Sequence, residues 1–358
     1  MITRDIRLAI ACAVAAEGFA PADPGLRPGG RPGCYSASVA FGLADGRSVR
    51  EVCHALADRL AARPWVGHAQ VCGPGFLALT VTADALAALP GRITAAGPGC
   101  ARSDALRDVR LEAPPPADPL AAPGWEEARK ALAAELTARL AAAAGATVTA
   151  LRYPERSLPS PHRNLLLHGG VAPLRSAEEE TAAAAAGEPT ASGNLSRDLA
   201  AAISFAGADA VRFWLARALP GRPVRVDAAI MARHAPDNPA YAVRYAHARA
   251  ASGVRWAAIP ATEAVPRRPP ADPGELALLD ALSWLPERVA VAARRGRPDE
   301  FARYLEELAS VTIATLSSAS HPGSARAPGS DRLALASAAQ TGLAAGLGLL
   351  GVSAPDRL

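Results

Sequence analysis

Lysine is almost missing from this chain: Lys130 is the only one, so the 38 basic residues are otherwise arginine. A site built on a pair of lysine ammonium groups is excluded at the outset, whereas the planar arginine fork suits phosphates and base edges. A GC-rich genome would write the same bias. Aromatic residues make up only 4%, and about half of the 50% hydrophobic content is alanine, which points to helix packed on helix through small side chains. Cys12, Cys34, Cys53, Cys72 and Cys100 include no Cys-x-x-Cys pair and have no histidines at zinc-finger spacing. No metal site follows, and the thiols read as reduced and mostly buried. The opening Met1-Ile-Thr-Arg-Asp-Ile-Arg has no signal-peptide apolar core, and no stretch of eighteen uncharged apolar residues stands out. The expectation is a cytoplasmic protein with no membrane partner. A glycine-rich phosphate loop, an EF-hand and a heptad repeat are also missing.

What remains is a chain of 358 residues, long enough for two or three cored domains, with a net charge of +4 and a pI near 9.0 that fit a polyanion partner. Residues 4–17 and 49–63 have helical periodicity, and residues 34–43 are apolar-periodic. Residues 68–72 and 76–82 alternate apolar and polar positions on either side of Gly73-Pro74-Gly75, which predicts two strands around a turn. Residues 113–123 are too proline-dense for a helix or sheet interior. A strong helix is predicted over 125–144, ended by Gly145 and followed by a short strand, one β-α-β step. Neither 153–164 nor 178–189 offers the repeated strand-helix units of a complete nucleotide-binding sheet. From Asp198 the pattern is helical almost to the end.

The richest segment is Gly207-Ala-Asp-Ala-Val-Arg-Phe-Trp-Leu-Ala and, after a spacer, Asp237-Asn-Pro-Ala-Tyr-Ala-Val-Arg-Tyr-Ala-His-Ala-Arg. Asn238 is a sound N-cap with Pro239 at the first helical position. Tyr241 and Tyr245 share a face at i, i+4, with Arg249 a turn further and Arg244, His247 and Arg255 flanking. Residues 204–258 hold eight arginines and three aspartates, 8 − 3 = +5, more than the net charge of the whole chain. Rings beside guanidinium groups suit single-stranded RNA loops, whose unpaired bases stack while their phosphates pair. The same residues also suit plain helix packing and a solvated basic face.

The string from Asn238 to Arg249 resembles the opening of the anticodon-binding helical bundle, the DALR domain, of arginyl-tRNA synthetases. Tyr304-Leu-Glu-Glu-Leu-Ala is similar to that family's late helix, and Arg332-Leu-Ala-Leu through Gly346-Leu-Gly-Leu-Leu-Gly-Val-Ser-Ala-Pro-Asp-Arg-Leu358 to its closing helix. Gly33-Cys-Tyr-Ser-Ala-Ser-Val-Ala-Phe and Gly73-Pro-Gly-Phe-Leu-Ala resemble motifs of its additional N-terminal domain, with Cys34, Ser38 and Ala78 replacing polar residues. The resemblance implies an α-rich α+β fold in three parts. Residues 1–110 would form a small N-terminal α/β domain, 111–203 a degenerate remnant of a Rossmann-like catalytic domain, and 204–358 a DALR-type helical bundle. It also implies RNA contact through Asn238, Tyr241, Arg244, Tyr245, His247, Arg249 and Arg255, and through Tyr35, Ser38, Phe41 and Phe76 in the first domain.

In the family a His-x-Gly-His motif stabilises the ATP phosphates. Counting back from Gly145-Ala-Thr-Val-Thr, its place here is Gly124-Trp-Glu-Glu, so Glu126 and Glu127 would oppose a triphosphate. As a simpler role, two acids at a helix start favourably meet its positive end. The Lys-Met-Ser-Lys signature before Gly193-Asn194 falls on Gly187-Glu-Pro-Thr, with Glu188 and Thr190 in place of cations. The resemblance thus implies a tRNA-binding protein without catalytic residues or a cofactor, ATP not binding productively, and arginine tRNA as partner. A protein-interaction module partnering a full-length synthetase and an inherited arginine-tRNA ligase activity are the alternatives. A hydrolase set drawn from His162, His168, Asp198 and Ser192 or Ser196 lacks a nucleophile elbow.

Overall fold

Alternating burial picks out the strands at the amino-terminal end. Tyr35 and Ala37 are buried while Cys34 and Ser36 are half-buried, and Leu77, Leu79 and Val81 face the core from the strand they pair with. In the computed structural model, which describes residues 2–43, 46–115, 118–150, 198–257, 272–317 and 330–358, these strands form an antiparallel sheet. Its order is β1 (Arg27–Pro28), β2 (Cys34–Ala37), β4 (Phe76–Val81), β3 (Val66–Cys72). The stretch 34–43 is therefore a strand followed by a 3-10 turn, Val39–Gly42. The predicted β3–β4 hairpin forms, and its turn places Gly73 at φ +56°.

Helices α1 (Ile2–Ala16), α2 (Val49–Ala61) and α3 (Ala83–Ala96) accompany the sheet, with Ile6, Ile10, Leu56, Leu60 and Leu89 fully buried. Ser48 and Glu51 close a reciprocal capping box at the start of α2. Of the five thiols, Cys53 and Cys100 are buried, and burial pushes the Cys100 thiol up to about 11; Cys12 and Cys72 are exposed, contrary to the expectation of mostly buried cysteines.

Next, β5 (Arg110–Ala113) and β6 (Thr147–Ala150) pair in parallel across the helix α4 (Trp125–Ala143). A parallel pair needs such a crossover. Ala128, Leu132, Leu136 and Leu140, spaced by four, are all fully buried. They make α4 a core element, packed against the carboxy-terminal helices α6 and α10. Those helices are α5 (Leu199–Ala206), α6 (Ala208–Arg217), α7 (Ala228–Ala232), α8 (Pro239–Ala257), α9 (Pro273–Ser283), α10 (Leu285–Arg295), α11 (Pro298–Ser317) and α12 (Ser330–Leu350). Aspartates at 198, 227 and 272 cap α5, α7 and α9 through their carboxylates. Close approach depends on missing side chains: a Cβ on Gly346 of α12 would meet Leu305 Cδ2 of α11.

Helix α12 also answers the question of long apolar runs. Residues 331–350 are long and apolar enough to cross a membrane by composition, yet more than half of that window is buried inside the protein, with Leu343, Leu347 and Leu350 fully enclosed. It is the core helix of the bundle.

The first domain docks directly on this bundle. Thr3 Oγ1 donates to Ser283 O at 2.6 Å, and the Tyr35 hydroxyl meets Ser283 Oγ at 2.8 Å, its ring 5.3 Å from Trp284. The backbone N–H of Gly33 donates to Asp280 Oδ1 at 3.1 Å. Arg7 Nη2 donates to Glu287 at 2.6 and 2.8 Å while its Nη1 holds Asp23 at 2.8 Å, and Arg294 pairs with the same aspartate. Burial opposes the charge of Asp23, but hydrogen bonds and charge from Arg7, with Arg294, prevail and hold its carboxyl below the ordinary range. The stability it contributes is present above about pH 4, its unfolded value, and is lost as pH falls through the lower folded one.

Two outcomes follow for this clasp. Removing one partner strands a largely buried charge, so Glu287→Ala should lower unfolding free energy by about 3 kcal/mol in a denaturant titration. The double change Arg7→Met with Glu287→Leu should cost clearly less. Asp23→Asn should flatten the loss of stability below about pH 4 relative to the parent chain.

Candidate RNA-binding surface

Asn238 organises the site from beneath. Its Oδ1 accepts the N–H groups of Ala240 at 3.1 Å and Tyr241 at 3.4 Å, capping α8, while its Nδ2 donates to the carbonyls of Met231 at 2.7 Å and Arg233 at 2.8 Å. One buried amide thus starts a helix and folds the loop from α7 back over it. Pro239 takes the first helical position.

On the outward side of α8, Tyr241 and Tyr245 stack with centroids 5.7 Å apart and planes 16° from parallel. His234, brought back by the loop, lies 5.5 Å from Tyr241 and 8° from parallel. Tyr245 is 39% exposed and His234 is exposed. Arg249, one turn past Tyr245, has no ion pair or side-chain hydrogen bond among the described residues, and the same holds for the exposed Arg222 and Arg225. Asp237 is neutralised by Arg233 at 2.7 Å and Asp209 lies 3.6 Å from Arg244, so two of the three local carboxylates are already matched.

The other predicted residues of α8 are held by the chain's last residues. His247 is 2% exposed, with Nδ1 3.0 Å from the Pro355 carbonyl. Arg255 Nη1 donates to Asp356 O at 3.0 Å, and Arg244 Nη2 to Ser353 Oγ at 3.3 Å. Asn238 and His247 are therefore corrected from RNA contacts to internal supports, since buried polar groups committed to backbone partners are not offered to a ligand. His234 was missed because nothing in local spacing places it beside Tyr241. Only the loop reversal imposed by Asn238 does so.

In the first domain, Tyr35 is buried at the clasp with Trp284 and Ser283, where burial pushes its hydroxyl pKa up, so it too is corrected from surface contact to core. Ser38 is half-buried before the 3-10 turn and makes no capping hydrogen bond. Phe41 and Phe76 remain exposed and meet edge to face at 5.0 Å.

At the predicted signature positions, Gly124 is the N-cap of α4 and Glu127 lies exposed in its first turn. Glu126 accepts the Val224 N–H at 2.8 Å and Arg129 at 2.9 Å, contacts that lower its pKa. Glu188, Thr190, Gly193, Asn194, His162, His168, Ser192 and Ser196 lie outside the described residues. Asp198 serves as the N-cap of α5, accepting Ala200 N at 2.9 Å. Among the described residues no group of three or more His, Cys, Asp or Glu side chains is placed to hold a metal.

Residues 243–358 match the family model of the DALR anticodon binding domain. Over part of its length the chain is similar to arginyl-tRNA synthetases. An arginine--tRNA ligase of Bifidobacterium longum is 35% identical, the match covering 44% of this chain and 29% of the ligase. One from Kineococcus radiotolerans is 38% identical, again covering 44% of this chain and 29% of the ligase. The chain therefore spans under a third of the length of these curated relatives. An arginyl-tRNA synthetase structure from Thermus thermophilus superposes with a TM-score of 0.63 at 17% identity, over 100% of both chains, and shares the fold. The α-rich α+β architecture with a carboxy-terminal DALR bundle is thus that of the synthetase relatives.

Asn238→Ala removes a helix cap and two loop hydrogen bonds at once. It should destabilise the protein by about 2 kcal/mol, read from the urea midpoint, whether or not RNA is present.

Proposed function

We propose that this protein is a non-catalytic tRNA-binding relative of the arginyl-tRNA synthetases, acting in the cytoplasm, with arginine tRNA as its partner. The anticodon loop would lie on the outward side of α8, its unpaired bases against the ring stack that Tyr241 and Tyr245 belong to and its phosphates met by Arg249. The observation that carries this reading is the coincidence of the anticodon-binding match over 243–358 with two stacked tyrosines, Tyr241 half-buried and Tyr245 exposed, and an unpaired arginine on one helix. Exposed rings gain from covering bases, and unpaired guanidinium groups gain from phosphates. Phe41 and Phe76 would offer a second, smaller contact from the first domain.

The non-catalytic part rests on the chemistry of α4 and of the whole chain. Glu126 spends its carboxylate on Val224 and Arg129, and Lys130 is the only lysine. No adenylate chemistry is assigned to such a helix start, where a triphosphate would meet carboxylates.

Arg249→Ala should weaken binding to arginine tRNA in mobility shifts at every salt concentration and lower the slope of log K against log salt by about 1. An unchanged slope would remove α8 as the RNA face. Purified protein given arginine, ATP and labelled pyrophosphate should show no exchange into ATP, and formation of arginyl-adenylate would overturn the non-catalytic reading.

A further inference from the structure

The ring stack on α8 is longer than the helix itself can make it. Tyr241 and Tyr245 are neighbours by helical spacing, but the third ring, His234, comes from the preceding loop and lies within 8° of the Tyr241 plane. Its position is not an accident of a loose loop, because Asn238 pins the carbonyls of Met231 and Arg233 on the His234 side, and the Arg233–Asp237 ion pair closes the same reversal at 2.7 Å. The imidazole makes no hydrogen bond or ion pair among the described residues, so stacking on Tyr241 is its recorded contact. His234 is an exposed residue, and Tyr241 takes up one flat side of its ring.

We propose that His234, Tyr241 and Tyr245 form one three-ring shelf, and that an unpaired base of a single-stranded RNA loop stacks on the face of His234 opposite Tyr241. This rests on the RNA-binding reading above and adds to it a residue and a contact. A planar base satisfies the geometry with any sequence, since every base has a π-face, and the imidazole nitrogens are free to meet a base edge or phosphate at the same place. The shelf is rigid on both sides of Tyr241: the helix fixes one spacing and the Asn238 amide fixes the other.

The test uses the full chain and a synthetic hairpin of the arginine anticodon arm, with 2-aminopurine placed in turn at each loop position. The parent protein should bind and change the fluorescence at one or more positions. His234→Ala should weaken binding roughly tenfold and abolish the fluorescence change at one position. His234→Phe, which keeps a flat ring without nitrogens, should restore both. If the parent binds and His234→Ala matches it in affinity and fluorescence, the His234 contact is overturned while the RNA reading stands. Loss of both signals in His234→Phe as well overturns stacking as the role of this residue. Failure of the parent to bind the hairpin at low salt overturns the RNA reading and this inference together.

Discussion

The guanidinium of Arg7 reaches from the first helix of the chain to Glu287, 280 residues away, and much else is arranged around that contact. Glu287 is 5% exposed, so its charge is tolerable only because a fork of hydrogen bonds meets it. Asp23 and Arg294 complete the charge balance, and Ser283, one turn earlier, receives both Thr3 and Tyr35. The first domain is consequently seated on α9 and α10 with a defined register. That seating commits Tyr35, whose sequence context suggests an RNA contact, to the interface. Phe41 and Phe76, on the 3-10 turn and at the start of β4, escape it and stay at the surface.

A second constraint acts on α8. Along a helix, residues three and four apart are neighbours, so spacing alone does not decide which groups of α8 stay free. Tyr241, Tyr245 and Arg249 fall on the outward side, whereas Arg244, His247 and Arg255 fall where the residues after α12 cross. The crossing segment offers mostly carbonyls, which accept from these cationic or ring donors, so it holds the very groups that a count of basic residues would assign to RNA. Total charge overstates the proposed interface, and its usable part is smaller and more aromatic than the composition suggests.

Local features were the legible ones. The hairpin about Gly73-Pro74-Gly75, the long helix ending before Gly145 and the Asn238-Pro239 helix start each depend on a few neighbouring residues, and each is present. The anticodon-binding bundle was legible through its long motif. What the sequence concealed depends on contacts between distant positions. Residues 34–43 looked periodic, but β4 pairing, not helix formation, satisfies the backbone of Cys34 to Ala37. The burial of Tyr35 depends on Ser283 and Trp284, and that of His247 on Pro355. No spacing rule announces such pairs. His234 was hidden for a related reason, since its ring joins the stack only after a loop reversal fixed by the amide of another residue.

The same logic accounts for α4 and for the residues at its start. Four buried residues at intervals of four make it part of the bundle's core, and Glu135 joins Arg139 to Arg212, whose Nε caps the Leu350 carbonyl at the end of α12. At its first turn Glu126 receives the Val224 N–H, so the carboxylate is a tie between α4 and the segment leading to α7. A histidine at position 126 would remove that tie. Two unit charges of like sign about 4 Å apart repel by about 4 kcal/mol at an effective dielectric of about 20, so Glu127 alone would oppose a phosphate placed beside it. The helix serves packing along its length, and Glu126 at its amino end serves the fold by holding the Val224 N–H.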